Sequence, residues 1–370
     1  MKIPVFTPEI NQADIESVRH ALELGEISGN FGTYLTKFEQ GWADYCGVKH
    51  GVAVTSGTTA LQLAIAALEF PPGSEVLISS STNIATALAV LHNNLIPVPI
   101  DSEMETWNLD LKLMERKINQ NTVAIIPVHL FGQPVDMESL MKIAEKYNLA
   151  VIEDCAESHG ATQNGKMTGS FGKVGCFSFY ANKIVTTGEG GMVVTNDDDL
   201  ARKLRSYRNL GFQEPRFLHS IAGFNFRMTG YQAALGFSQI SRIDETLRNK
   251  IKVANWYRDL LSSNKFLTLQ GTIPQTVNVF WMFGILLSNR SSITRDQLMD
   301  ALSVAGIETR TFFCPMDMQP VLRSKYLMEA CPNAKILWER GLYLPSSVTL
   351  TYEETEYVAS KINEILNAQT

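Results

Sequence analysis

No run of apolar residues in these 370 positions approaches the roughly 20 that a bilayer-spanning helix needs. The opening MKIPVFTPEI carries a single lysine and no apolar stretch of signal-peptide length, so a cytoplasmic protein is expected. Clustered positive charge is also lacking: the net charge is −6 and the isoelectric point near 5.6, which argues against a nucleic-acid or anionic-membrane partner. Cysteine is scarce. The five, Cys46, Cys155, Cys176, Cys314 and Cys331, are odd in number and lack the short paired spacings of a zinc site, so buried free thiols and no metal are expected. Cys155 beside Asp154 reads as a small core hydrophobe rather than a nucleophile. The pattern GxxxxGK[ST] is missing, which disfavours a nucleoside triphosphatase. Neither an internal repeat nor a low-complexity tract occurs, and 45% hydrophobic with 19% charged residues excludes general disorder.

What is present is alternation. Short β-rich runs at 51–55, 75–79, 96–100, 122–128, 150–154, 174–179 and 191–195 are separated by helical patterns, the signature of a mainly parallel sheet of about seven strands with helices on its faces. Residues 58–68 are almost wholly apolar, as a helix buried against a sheet should be, and stop at Pro71-Pro72-Gly73. A helix over 136–147 is capped by Asp136 and turns Met137, Leu140, Met141 and Ala144 inward. Ile15, Val18 and Leu22 predict an amphipathic helix over 12–24, ended by Gly25. After residue 240 the texture changes. A charged helix over 241–263 leads to strands near 276–288 and 308–313, and a capping box from Thr351 to Glu354 opens a last helix with Val358, Ile362 and Ile365 inward. The expected division is a large α/β domain over 1–240, then a connector helix and a small α+β domain over 241–370.

Four places carry chemistry. In TSGTTAL, Ser56, Gly57 and Thr58 lie between a strand and a helix start, where free amides and the helix dipole favour an anion such as a phosphate, although many such turns bind nothing. In AVIEDCAESHG, Asp154 ends a strand and has the placement to keep a pyridinium nitrogen protonated, with a helix cap or a magnesium ligand as the less favoured alternative. Glu157 could bond a phenolic oxygen of the same ring or lie on a solvated helix face. In SFYANKIVTTGEGG, Ser178 offers a hydroxyl to the phosphate, and Lys183 an amine able to form an imine once burial lowers its pKa. A lone lysine after a strand is usually a surface charge, but the GEGG that follows permits close backbone approach. His129 and His159, near strand ends, read as structurally bonded.

Together TSGTTAL, PVHLFGQPVDM, VIEDCAESHGA, CFSFYANKIVTTGEGGMVVTNDDDLA and GFNFRMTGYQAALG resemble the nucleotide-sugar aminotransferases, the sugar branch of the fold-type I pyridoxal-phosphate enzymes, over nearly the whole chain. VFWMFGILL and GIETRTFFCPMDMQP are most similar to the perosamine-forming branch, which puts an amino group on C4 of a GDP-linked 4-keto-6-deoxymannose for cell-surface polysaccharide. The resemblance implies pyridoxal 5′-phosphate as cofactor and glutamate and a nucleotide-linked ketosugar as substrates. It makes Lys183 the Schiff-base lysine, Asp154 the partner of the ring nitrogen and Glu157 that of the ring hydroxyl, and gives Gly57, Thr58 and Ser178 to the phosphate. It also implies that Asn225 reaches the phosphate of a neighbouring subunit, in a homodimer or dimer of dimers with shared active sites, and that the EISGNFGTY loop covers the sugar. Arg227 would orient donor or sugar, or form a structural ion pair.

Two departures from the family stand out. Asn83, in SSTNIAT, replaces the usual ring-stacking aromatic and would cover the cofactor with an amide. Cys314-Pro315-Met316-Asp317 replaces a block that usually reads P, any residue, H. Related readings are an aminotransferase for a dTDP- or UDP-linked sugar at C3 or C4, or a dehydratase of the same fold, which Lys183 opposes because that branch carries histidine there. A non-catalytic sugar-nucleotide sensor lacks any supporting motif, and a metal enzyme using Asp154, Glu157 and His159 would leave Lys183 unexplained.

Overall fold

The computed structural model describes residues 2–368 except 213, 216 and 327. Its strands, in chain order, are β1 (His50–Val54), β2 (Glu75–Ser79), β3 (Ile96–Ile100), β4 (Thr122–Ile126), β5 (Ala150–Asp154), β6 (Thr162–Gln163), β7 (Lys166–Met167), β8 (Val174–Ser178), β9 (Gly191–Thr195), β10 (Leu267–Leu269), β11 (Thr276–Val277), β12 (Phe283–Leu287), β13 (Arg310–Thr311) and β14 (Gly341–Leu344). Seven of them form the large sheet in the order β1-β9-β8-β5-β4-β2-β3. Pairing is parallel from β3 through to β8, and β9 runs antiparallel to both of its neighbours. The fold is therefore α/β with a mainly parallel seven-stranded sheet, as the alternation implied.

Burial on both faces explains the near-continuous apolar strands. One face packs the helix Gly57–Leu68, whose Leu61, Leu63, Ala64 and Ile65 are buried with Val52, Ile78, Ile126 and Ile152. The other holds two clusters: Phe38, Trp42, Phe177 and Phe179 at the β9 end, and Leu140 and Met137 beneath β4 and β5. Asp136 caps the helix Met137–Tyr147 by accepting from the Ser139 amide at 3.2 Å. The helix Ile243–Leu261 then leads to a four-stranded antiparallel sheet, β10-β12-β14-β13, packed by Tyr257, Leu298, Val358 and Ile362. The last helix, Tyr352–Asn367, opens with the expected capping box.

The structure corrects three expectations. The helix Gln12–Glu23 does not turn its apolar stripe inward: Ile15 and Leu22 are each 52% exposed, while Asp14 and Ala21 are buried. The helix docks instead through polar bonds, Asp14 paired with Arg242 at 2.7 Å and the Ser17 hydroxyl donating to the Ala234 carbonyl. The stretch 276–288 is not one strand, because β11 joins β6 and β7 in a separate small sheet and only β12 enters the four-stranded one. Cys314 is half-buried rather than in the core, whereas the other four cysteines are buried. Contacts also cross position 240, since Ile3 bridges Ile307 and the Ser346 amide donates to the Val5 carbonyl. No helix among the described residues is long and apolar enough to cross a membrane.

Candidate active site

A parallel sheet brings the carboxyl ends of its strands to one edge, where connecting loops diverge and leave a crevice. Here the residues just after β1, β2, β4, β5 and β8 meet around a cavity of about 350 Å³, a size suited to a cofactor or small ligand. Its wall includes Ser56, Gly57, Thr58, Thr82, Asn83 and Val128, with Asp154, Glu157, Ser178 and Lys183 beside them. Seven of the eight residues that the resemblance sets against the cofactor thus share one cavity. Asn225 is the exception: it is exposed, does not line the cavity of its own chain, and bridges Asn209.

The anion end is built by the start of the helix Gly57–Leu68. Ser56 is its N-cap, accepting from the Thr59 amide at 3.1 Å, so its hydroxyl serves the helix. The amides of Gly57 and Thr58, in the first turn, have no carbonyl one turn back to bond and lie at the cavity with the positive end of the helix dipole. Glycine is required at 57. A Cβ there would stand 2.6 Å from Cβ of Ser178, so the glycine is what lets the turn and the end of β8 close into one cradle of amides and hydroxyls.

The same wall also carries buried acids. Asp154 is 5% exposed; the Thr86 hydroxyl donates to Oδ2 at 2.9 Å and the Ala156 amide to Oδ1 at 3.2 Å. Burial nevertheless raises its pKa above the usual carboxylate range, and a cationic ring nitrogen is the kind of partner that would offset that cost. Glu157 accepts from the Phe131 amide at 2.7 Å, and burial pushes it up to about 7 against the lowering influence of Lys183. Lys183 is 8% exposed and shifted down by the same desolvation, opposed by Glu157 and Asp154. A helix start able to hold an anion, two buried acids and a desolvated amine lining one space are a donor set that fits a phosphorylated pyridine aldehyde.

Sequence reasoning missed the roof. Trp281, Phe313 and Tyr343, all from the C-terminal part of the chain, close the cavity, and the Trp281 ring centroid lies 3.6 Å from Nζ of Lys183. The Trp281 indole N–H donates to the Asn182 carbonyl at 2.8 Å, which holds the ring in place. The stretch VFWMFGILL was visible as a family-like block, but nothing in it pointed to a residue so distant in sequence. Thr86 was likewise missed, although it lies one helical turn past Asn83.

Other sequence candidates sort clearly. Asn83 lines the cavity, with its side-chain oxygen accepting from the Ala85 amide at 3.0 Å. Asp317, in the position where the family usually has histidine, does not line it; Asp317 accepts from the Cys331 amide at 3.2 Å and from the Ser80 hydroxyl at 3.5 Å. The EISGNFGTY loop is closed by Glu26, which accepts from the Thr33 and Tyr34 amides, and it does not line the cavity of its own chain. Arg227 donates to the Asn209 side chain at 2.8 Å. His159 lies apart from Asp154 and Glu157 as a ligand set: it packs among Trp42, Phe177 and Phe179, accepts from the Val185 amide at 3.3 Å, and burial lowers it to about 3. His129 accepts from the Val135 amide at 3.1 Å. His129, Glu153 and Cys155 cluster closely enough to suggest a metal, but Glu153 already accepts from the amides of Gly169, Phe171 and Gly172.

Comparison with known proteins agrees with this geometry. The chain is 41% identical to the GDP-perosamine synthase of Caulobacter vibrioides, over 99% of this chain and 98% of that one. It is 38% identical to the UDP-N-acetyl-3-dehydro-alpha-D-glucosamine 3-aminotransferase of Acidithiobacillus ferrooxidans, over 92% and 90%. The solved structure of DesV from S. venezuelae superposes with a TM-score of 0.90 at 33% identity, covering 95% of this chain and 94% of that one. Residues 8–363 match the DegT/DnrJ/EryC1/StrS aminotransferase family. The chain belongs to that family of aminotransferases, which work with pyridoxal 5′-phosphate.

Proposed function

We propose that this enzyme moves an amino group from glutamate to a nucleotide-linked 4-keto-6-deoxysugar, in the manner named for its perosamine-forming relatives. The observation that carries the reading is the desolvated Lys183 amine opening, with the buried acids Asp154 and Glu157, into one cavity that has an anion cradle on its wall. When bound, the cofactor would supply an electron sink for the carbon that loses or gains a proton. Lys183 would hold it through Nζ. Asp154 would keep the ring nitrogen protonated, Glu157 would bond the ring hydroxyl, and Gly57, Thr58 and Ser178 would hold the phosphate. The Lys183 amine would also be the base that moves a proton between the amine-bearing substrate carbon and the cofactor, a role favoured by the lowering of its pKa through burial. Asn83 faces the same space with an amide and would meet ring and sugar.

Lys183 is the one cation among the described cavity-lining residues, against Asp154, Glu157 and Glu189. A nucleoside diphosphate needs more positive charge than that, which supports a site completed by a second copy, with Asn225 supplied across the interface. Exposed Ile15, Leu22, Leu24 and Ile27 give such an interface an apolar face. The division at 240/241, a cytoplasmic location and a place in cell-surface polysaccharide synthesis belong to the same reading. The relative that aminates a UDP-linked sugar at C3 keeps a second acceptor class in view.

The deciding experiment loads the cofactor with nitrogen from glutamate and offers GDP-, dTDP- and UDP-linked ketosugars, recording which restores the absorbance of the aldehyde form. A GDP-linked 4-keto sugar is expected to do so. If simple keto acids restore it and no nucleotide sugar does, the substrate assignment is wrong. Lys183→Ala should lose covalently held cofactor and at least about 10²-fold in turnover.

A further inference from the structure

Lys250 is a buried cation that the proposed chemistry does not use. It lies on the helix Ile243–Leu261, is 3% exposed, and burial, with no acid to oppose it, lowers its pKa to about 7. A chain does not bury an ammonium without partners. Its partners here are two backbone carbonyls, those of Trp281, at 2.7 Å, and Ser346.

Those carbonyls belong to the segments that hang the aromatic roof. Trp281 lies two residues before Phe283, where β12 pairs with Leu344 of β14, and Ser346 lies two residues after Leu344. Ser346 ties the two segments by accepting from the Phe283 amide at 2.9 Å and donating to the Leu344 carbonyl at 2.8 Å. Both Trp281 and Tyr343 line the cavity. The ammonium thus grips the end of the small sheet from which Trp281 meets Lys183. Both lysines also line one void of about 20 Å³, together with Glu9 and Arg242, and Arg242 is committed to Asp14.

We propose that Lys250 is a positioning residue for Lys183: its ammonium, held between the carbonyls of Trp281 and Ser346, keeps the Trp281 indole against the amine of Lys183. The indole there excludes water from the amine, and exclusion of water is the largest influence lowering the Lys183 pKa, with Asp154 and Glu157 the acids opposing it. A roof that loosened would rehydrate the amine and make it a stronger base and, at neutral pH, a poorer nucleophile.

The test reads Lys183 itself. The full chain, freed of cofactor, is treated with acetic anhydride across a range of pH, and acetylation at Lys183 is quantified by peptide mass spectrometry. Lys250→Met and Trp281→Ala are each expected to raise the midpoint of that profile by about one pH unit. The double variant should move it no further, because both changes act through one contact. Lys250→Arg, which keeps a cation, should fall between wild type and Lys250→Met. An unchanged midpoint in folded Lys250→Met, or additive shifts in the double variant, overturns the assignment. If Lys250→Met does not fold, Lys250→Arg carries the test with the same two outcomes, and loss of the fold in both makes Lys250 a purely structural residue. The inference rests on Lys183 being the reacting amine of the proposed function. A Lys183 that never takes up pyridoxal phosphate would sink that function, while the acetylation profiles would still decide the role of Lys250.

Discussion

Single side chains in this site are set by desolvation more than by neighbouring charge. Glu157 ordinarily titrates near 4.5, and burial pushes it up to about 7. A carboxyl raised in the folded chain contributes stability that is fully present below the unfolded value and is lost as pH rises through the folded one. Glu157 by itself therefore pulls the thermal midpoint of the cofactor-free chain down as pH rises from about 4.5 to about 7, while His159, lowered from 6.5 to about 3, pushes it up as pH rises from about 3 to 6.5. Glu157→Gln, which can still accept from the Phe131 amide, should remove the downward part, so that the variant's midpoint climbs more steeply with pH over this range than the wild type's, with Asp154 still contributing in the downward sense. Equal slopes in both proteins, read by calorimetry, would show that Glu157 ionises without cost. Gly57→Ala tests the cradle: the added methyl meets Ser178, and the expected loss is about 1–3 kcal/mol of stability, together with weaker retention of pyridoxal phosphate.

Elements place these groups through their ends and docking faces. The helix Gly57–Leu68 delivers its amides because Ser56 and Thr59 form a capping box, a device readable in TSGTT once the strand before it is known. The helix Gln12–Glu23 shows the reverse, since its period is that of an amphipathic helix but its docking face is the polar one. Buried Asp14, paired with Arg242 and accepting from the Ser238 hydroxyl, ties it to the following helices. Removing one partner of such a pair strands a charge, so Arg242→Met should cost about 3 kcal/mol in denaturant unfolding. Adding Asp14→Asn should recover part of that loss, and a neutral Arg242→Met would mean the pair is not what holds this helix.

The whole molecule exposes, on the same helix and the loop after it, apolar side chains that a lone chain has no reason to show. If a second copy covers them, wild type sediments at twice the chain mass, and Ile15→Glu with Leu22→Glu shifts it toward one. Cofactor retention should fall with dissociation, since Asn225 then has no neighbouring site to reach. A wild type that sediments as one chain yet holds cofactor tightly would contradict shared sites.

The seven strands of the large sheet and three of its helices, Gln12–Glu23, Gly57–Leu68 and Met137–Tyr147, were legible because each is locally encoded: apolar runs for strands buried on both faces, caps and stop signals at helix ends. The chemical groups were legible for a related reason, since Gly57, Asp154, Ser178 and Lys183 all lie at or just after strand ends, and a parallel sheet gathers strand ends at one edge. Tertiary structure alone decided which face of the helix Gln12–Glu23 is buried, that residues 276–288 divide between two sheets, and that Trp281 and Tyr343 roof the cavity over Lys183. Each of those depends on contacts between segments far apart in the chain, and local periodicity and motif spacing carry no record of which distant surface a side chain will meet.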